Sequence, residues 1–171
     1  NPLTLHAIPE IERVADLRGR RIGVSQADLG TRAAARILAK AQSWNPDRDI
    51  TLVVLPDLGA QLAALGRKEI EAVIWGDGSA VGESRGVSRL LMRLGSLTPK
   101  WIGQVQYSSD ETIRRDPATI RRALLAIFQA IRFMKAHPAE SATLIAAELG
   151  WSLEAARSAQ AISTRFLSWD G

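Results

Sequence analysis

Three short polar stretches carry the residue types that could do chemistry: SQADLGT (25–31), PDLG (56–59) and GDGS (76–79). Between them they offer hydroxyls, carboxylates and closely spaced glycines, and each follows a short apolar run. That combination suits non-covalent recognition, because ligands in open α/β sheets bind beyond the carboxyl ends of strands, where helix N-termini point free N–H groups at the crevice. The turn from Ser25 to Thr31 could set its amides and hydroxyls against a small anionic or polar solute. Equally, Asp28 or Thr31 could cap the following helix while Gly30 relieves a tight turn, and the bare motif leaves both readings open. Asp77, between Gly76 and Gly78, could pair with an amine or hydroxyl on a ligand or simply turn the chain.

Signals for covalent chemistry are thin. There is no GxSxG nucleophile turn, no GxxxxGK[ST] phosphate loop and no HExxH metal helix, and GDGSAVG lacks the spacing of a dinucleotide-binding loop. The chain has no cysteine, which excludes disulfides, thiolate nucleophiles and Cys-ligated metals within it. His6 and His137 are the only histidines, and His137 precedes a proline at an expected helix start, where a capping role suits it. Catalysis by side chains of this chain is not expected, nor is a cofactor or a metal.

The elements that position these stretches alternate in type. RRIGVS, ITLVVLP and EAVIW are short apolar runs rich in β-branched residues, as strands of a parallel sheet covered on both faces would be. Between the first two, Ala34, Ile37, Leu38 and Ala41 recur at helical spacing; between the second and third, Leu58, Leu62 and Leu65 do so, with Gly66 placed to end the helix. Strand, helix, strand, helix, strand is the pattern of βαβ units, and it predicts an α/β core. After a Gly- and Ser-rich stretch, SRLLMRL reads as a further strand, GSLTPK as a loop and WIGQVQYSS (101–109) as an alternating, half-exposed strand. From Asp110 onward only helices are expected. Pro117 opens one with the stripe Ile120, Leu124, Ile127, Phe128, Ile131 and Met134; Pro138 opens a second, closed by Gly150; Ser152 caps a third.

At 171 residues, 46% apolar and 23% charged, the chain has the composition of a folded protein. No apolar run approaches the length that spans a bilayer, so no membrane insertion is expected. A balance of 22 Lys+Arg against 18 Asp+Glu gives +4, a level at which nucleic acid must be considered. The densest cluster is RRDPATIRR, whose Arg114, Arg115, Arg121 and Arg122 could share one side of a helix. No aromatic residues interleave with them to stack bases, so the cluster reads as a solvated or protein-docking face and nucleic acid is not expected as a partner.

The order of these features resembles the solute-binding proteins of ABC importers for nitrate, sulfonates, taurine and thiamine-precursor pyrimidines, the NMT1/THI5-like family. VADLRGRRIGV is similar to the family's entry into its second lobe, LPDLGAQLAALGRKEIEAVI to the stretch ending in an acidic-Ala pair, and DPATIRRALLAIFQAIRFMKAHPAESATLIAAELG to its C-terminal helices. The resemblance implies two α/β lobes of periplasmic binding protein type II, closing like a hinge on a solute. It further implies an extracytoplasmic location and delivery of a small anionic or zwitterionic organic solute to a membrane permease. Carried over position by position, Ser25, Gln26, Leu29, Gly30 and Thr31 match the second-lobe ligand loop, and Asp77 matches the acidic residue beside the cleft. Two positions depart from the pattern: Glu71 replaces an Asp, and Gly78 stands where a proline commonly follows the acidic residue.

The resemblance also implies a chain truncated at its N-terminus. Residues 1–20 are expected as the hinge-entry segment of the first lobe, 21–95 as the second α/β lobe, 96–109 as a return strand, and 110–171 as C-terminal helices belonging largely to an incomplete first lobe. A solute gripped from one side loses burial, and small-ligand sites bury roughly 70–90% of the ligand, so weak binding or none is expected of the 171 residues by themselves. Two other classes share the fold: a pyrimidine-forming enzyme of thiamine synthesis, which relies on a cysteine-rich signature, and the effector-sensing domain of a transcription regulator.

Overall fold

The computed structural model describes residues 1–25, 29–76, 79–102 and 105–167. The chain divides into two compact units, Asn1–Trp101 and Ile102–Gly171.

The first unit is built on a five-stranded sheet. Its strands are β1 (Thr4–Ala7), β2 (Arg21–Ser25), β3 (Thr51–Leu55), β4 (Ala72–Trp75) and β5 (Arg89–Arg93), in the order β3-β2-β4-β1-β5. Helix α1 (Leu29–Ala41) connects β2 to its parallel neighbour β3, and α2 (Leu58–Gly66) returns the chain to β4, which pairs in parallel with the other side of β2. The expected alternation of strand and helix is therefore observed. Helix α3 (Ser79–Ser84) follows β4, in the stretch whose Gly and Ser content masked it. Gly82 is required there, because a Cβ at that position would run into Ser88 Oγ.

β1 is antiparallel to both β4 and β5 and lies between them. Residues 1–20 thus contribute a strand to this sheet. The reason is visible in their burial: Thr4, Leu5, His6 and Ala7 are all buried, as only a strand covered on both faces can be. Leu5, Leu17, Ile22, Leu38, Leu65, Ile70, Ile74 and Leu94 form the fully buried core. Gly23 lets β2 approach Ile70, whose Cδ1 lies 2.7 Å from where a Cβ would stand.

The second unit contains α4 (Asp110–Arg115), α5 (Pro117–Ala136), α6 (Pro138–Leu149) and α7 (Leu153–Phe166). The expected punctuation is present. Pro117 and Pro138 occupy first turns, Gly150 ends α6 at φ +64°, and Ser152 Oγ accepts from Ala155 N across 3.2 Å.

Two expectations differ. The arginine cluster is split, with Arg114 and Arg115 on α4 and Arg121 and Arg122 on α5. Asp116, before a proline, cannot continue the helix and turns to φ −142°, where its carboxylate caps α5 at Thr119. Residues 101–109, expected as a return strand, form no strand among those described. Ile102, Val105 and Tyr107 are exposed instead, and alternation alone makes no strand without a partner ladder.

Candidate functional site

Because β2, β3 and β4 run parallel, their carboxyl ends lie along one edge of the sheet. That edge carries Ser25 beside Leu55 and, across β4, Trp75. Antiparallel β1 brings its amino end to the same place, so Thr4 sits between Trp75 and Arg93 at the end of β5. The Thr4 hydroxyl donates to the Trp75 carbonyl at 3.1 Å.

The corner from β2 into α1 is the best-defined part. Ser25 and Thr31 are 4% and 2% exposed, and Thr31 Oγ1 accepts from the Ser25 N–H at 3.0 Å. One hydroxyl thus ties the end of β2 to the first turn of α1. Gly30, half-buried, belongs to that turn, as does the backbone of Leu29. The start of a 13-residue helix carries the positive end of its macrodipole, which favours negative charge.

Of the six expected site residues, the structure brings Ser25, Gly30 and Thr31 to this corner with the backbone of Leu29. Gln26 and Asp77 lie outside the described residues, as does the Leu29 side chain. The PDLG stretch has a structural role: Asp57 Oδ1 accepts from Ala60 N at 2.8 Å and caps α2.

Glu71 marks the opposite, amino end of β4. Its Oε2 accepts from the Arg21 N–H at 2.9 Å, its Oε1 from the Arg21 guanidinium at 2.7 Å, and the same guanidinium donates to the Lys68 carbonyl at 2.9 Å. The Arg21 hydrogen bonds hold the Glu71 carboxyl below its ordinary range, with burial opposing. The departure from Asp to Glu therefore lies in a clamp between strands, not at the carboxyl edge.

Sequence reasoning missed Thr4 and Arg93 at the edge, since their arrival depends on an antiparallel strand order that no local pattern reveals. It also left His6 without a role. His6 is 2% exposed, its Nδ1 lies 3.9 Å from Glu83 Oε1 and makes no hydrogen bond. Burial pushes its pKa down, Glu83 opposes this and Arg93 adds to it. Glu83 also accepts from Leu90 N at 3.0 Å, tying α3 to β5. His137 joins α5 to α6 through its backbone, while its ring stacks on Phe133 with centroids 4.9 Å apart. Among the described residues there is no group of three His, Asp or Glu side chains arranged to hold a metal. The edge can bind and orient a small polar or anionic molecule; a nucleophile paired with a base is not found among the described residues that line it.

A family model described as NMT1/THI5-like matches residues 2–141. No curated protein sequence matches the chain. Among solved structures, the alkanesulfonate-binding protein SsuA of Xanthomonas axonopodis pv. citri, bound to MOPS, is 21% identical with a TM-score of 0.72 over 94% of this chain and 55% of its own. The periplasmic aliphatic sulphonate binding protein SsuA of Escherichia coli is 17% identical with a TM-score of 0.76 over 94% of this chain and 52% of its own. A desulfurization enzyme, DszB, is 20% identical with a TM-score of 0.53 over 92% of this chain and 60% of its own. The chain thus spans little more than half the length of these structural relatives, and the shared feature is the fold.

Proposed function

This chain belongs to the NMT1/THI5-like family, and from that premise we propose that it is the second-lobe portion of the extracytoplasmic solute-binding component of an ABC importer. It captures a small anionic or zwitterionic organic solute, such as a sulfonate, taurine, nitrate or a pyrimidine, and passes it to a permease without chemical turnover. The observation that carries this reading is the carboxyl edge of the sheet, where the Ser25–Thr31 hydrogen bond sets the start of α1 and Arg93 stands one strand beyond Thr4. The start of a helix at that edge favours an anion. Gln26, Leu29 and Asp77 complete the proposed ligand set, with Asp77 addressing an amine or hydroxyl, so a zwitterion such as an amino-sulfonate satisfies both ends. The solute favours a closed form by touching both lobes, and the exposed Arg114 and Arg121 are offered to the permease.

The likeness to two sulfonate-binding proteins supports the solute class. The desulfurization enzyme shows that the fold also carries catalysis, but the absence of cysteine and of a paired base from the described edge favours binding. The test is a thermal-shift and titration panel of taurine, an alkanesulfonate, nitrate and a hydroxymethylpyrimidine against the two-lobed protein. A ligand at a hundred times its dissociation constant stabilises by about 2.7 kcal/mol. The expected result is one class stabilising, with the shift lost on Asp77→Ala for a solute carrying an amine. No stabilisation by any member, or conversion of the pyrimidine into a new product, contradicts the reading.

A further inference from the structure

His6 is a buried titratable side chain that the candidate site does not use. It lies on β1, the strand between β4 and β5, and is 2% exposed. Across the two ladders its partners are Val73 and Leu90, both apolar. Its Nδ1 has no hydrogen bond, although a polar atom shut away from water costs free energy when it goes unpaired. The charged groups that face it are Glu83 from α3 and Arg93 from β5, while β4 and α2 carry no charged residue.

Glu83 already has a task at this place. Its Oε1 accepts from the Leu90 N–H at 3.0 Å and stands 3.9 Å from His6 Nδ1, beyond hydrogen-bond reach. That N–H belongs to an irregular point of the sheet. Leu5 pairs with Met92 and His6 with Leu90, so Leu91 has no partner on β1 and β5 bulges there. The same carboxylate oxygen thus holds β5 at its bulge and lies beside a buried imidazole that lacks a partner. The Glu83 side chain is 46% exposed, so its carboxylate is free to turn. The backbone of α3 is not, because Gly82 packs closely on Ser88 and Leu62.

We propose that His6, Glu83 and the Leu90 N–H form a proton-operated clasp joining β1, α3 and β5. With His6 neutral, the carboxylate holds Leu90. Once the imidazole is protonated, Nδ1 is a charged donor that draws the carboxylate across the 3.9 Å gap. An ion pair with a buried imidazolium outcompetes a bond to a neutral amide, and the bulged start of β5 is released. Burial lowers the imidazole pKa, with Glu83 opposing and Arg93 adding to the fall, so the clasp is shut at neutral pH and opens on acidification. α3 begins two residues after Asp77, so the clasp fastens the element that follows the proposed ligand stretch. None of its members belongs to the proposed ligand set and its readout needs no solute, so its failure is distinguishable from failure of the importer reading.

The test is amide hydrogen exchange read by NMR on the leucine-labelled product of the whole reading frame, from about pH 8 to about pH 5. Protection is taken relative to the unstructured rate at each pH. Leu38, fully buried in α1, is the control amide, and the His6 ring resonances, assigned by their loss in His6→Gln, give the titration. The expected result is a loss of about tenfold or more in Leu90 protection that tracks the His6 titration while Leu38 is unchanged. His6→Gln abolishes this pH dependence. Glu83→Gln, at a half-exposed position should the first variant fail to fold, keeps an oxygen for the Leu90 N–H but no charge. Its Leu90 protection is flat with pH, and its His6 titrates at lower pH than in the parent. Leu90 protection that ignores the His6 titration, falls in step with Leu38, or keeps its pH dependence in Glu83→Gln overturns the proposal. So does a His6 ring that stays neutral across the whole range.

Discussion

Gly23→Ala tests the packing of the sheet that positions the candidate site. The added Cβ would stand 2.7 Å from Ile70 Cδ1, closer than real Cβ contacts allow, while Leu55 Cδ1 and the Ala72 carbonyl oxygen lie at an ordinary 3.6 Å. Ile70 is 1% exposed, so its side chain has nowhere free to go. Overpacking of this kind costs about 1–3 kcal/mol, against which alanine in a strand gains about 0.5–1 kcal/mol over glycine. The net expectation is a loss of about 0.5–2 kcal/mol. Ile70→Val removes the offending methyl and by itself costs about 0.5–1.5 kcal/mol. In the double variant the clash is gone, and the strand gain offsets the lost methyl to within about 1 kcal/mol of the parent. Urea unfolding followed by tryptophan fluorescence measures all four corners of this cycle. Simple additivity of the two losses, or a neutral Gly23→Ala, would refute the close approach of β2 to Ile70.

Four further outcomes follow from the structure. Thr31→Val removes the hydroxyl that accepts from the buried Ser25 N–H and should cost about 1–3 kcal/mol in denaturant unfolding, with Thr31→Ser restoring most of it. Gly150→Ala forces a Cβ into φ +64° and should lower stability by about 1–2 kcal/mol; thermal unfolding reads this. The carboxyls of Glu71, Asp16, Asp47 and Asp49 are all held below their ordinary values. They contribute stability that is present above the unfolded-state values of about 4 and is lost as pH falls through the lower folded ones; Glu71→Gln should flatten this acid limb in a pH series of unfolding midpoints. His6 is also depressed, by burial, so its contribution is full above about pH 6.5 and declines as pH falls below it, and His6→Gln should remove that shallower limb.

What the sequence made legible was local. The three β-branched runs gave β2, β3 and β4 because such residues suit a pleated sheet; β2 and β4 are largely buried, whereas β3, at the sheet edge, is only half-buried and leaves Val54 exposed. Pro117, Pro138, Gly150 and Ser152 marked helix ends because each acts through its own backbone or side chain. What stayed hidden was non-local. The insertion of β1 between β4 and β5 brings Thr4 and Arg93 to the carboxyl edge, and strand order is settled by packing across some 70 residues. The Glu71 clamp spans 50 residues from Arg21, and His6 meets Glu83 only once α3 is folded against the sheet. Residues 101–109 carry strand-like alternation, but a strand exists only when a neighbour completes its ladder. At the site, the hydroxyl spacing of SQADLGT is readable, yet Thr31 fastens Ser25 only through the fold of the corner between β2 and α1.

The most direct test of the central claim is native mass spectrometry of the gently purified product of the whole reading frame, examined for a retained small molecule. The account predicts a reproducible added mass in the range of an organic sulfonate or similar small polar solute, lost on Thr31→Ala with Asp77→Ala and absent from the 171-residue chain by itself. Tight retention by the 171-residue chain alone, or an unliganded protein that instead retains DNA or converts a thiamine precursor, would contradict it.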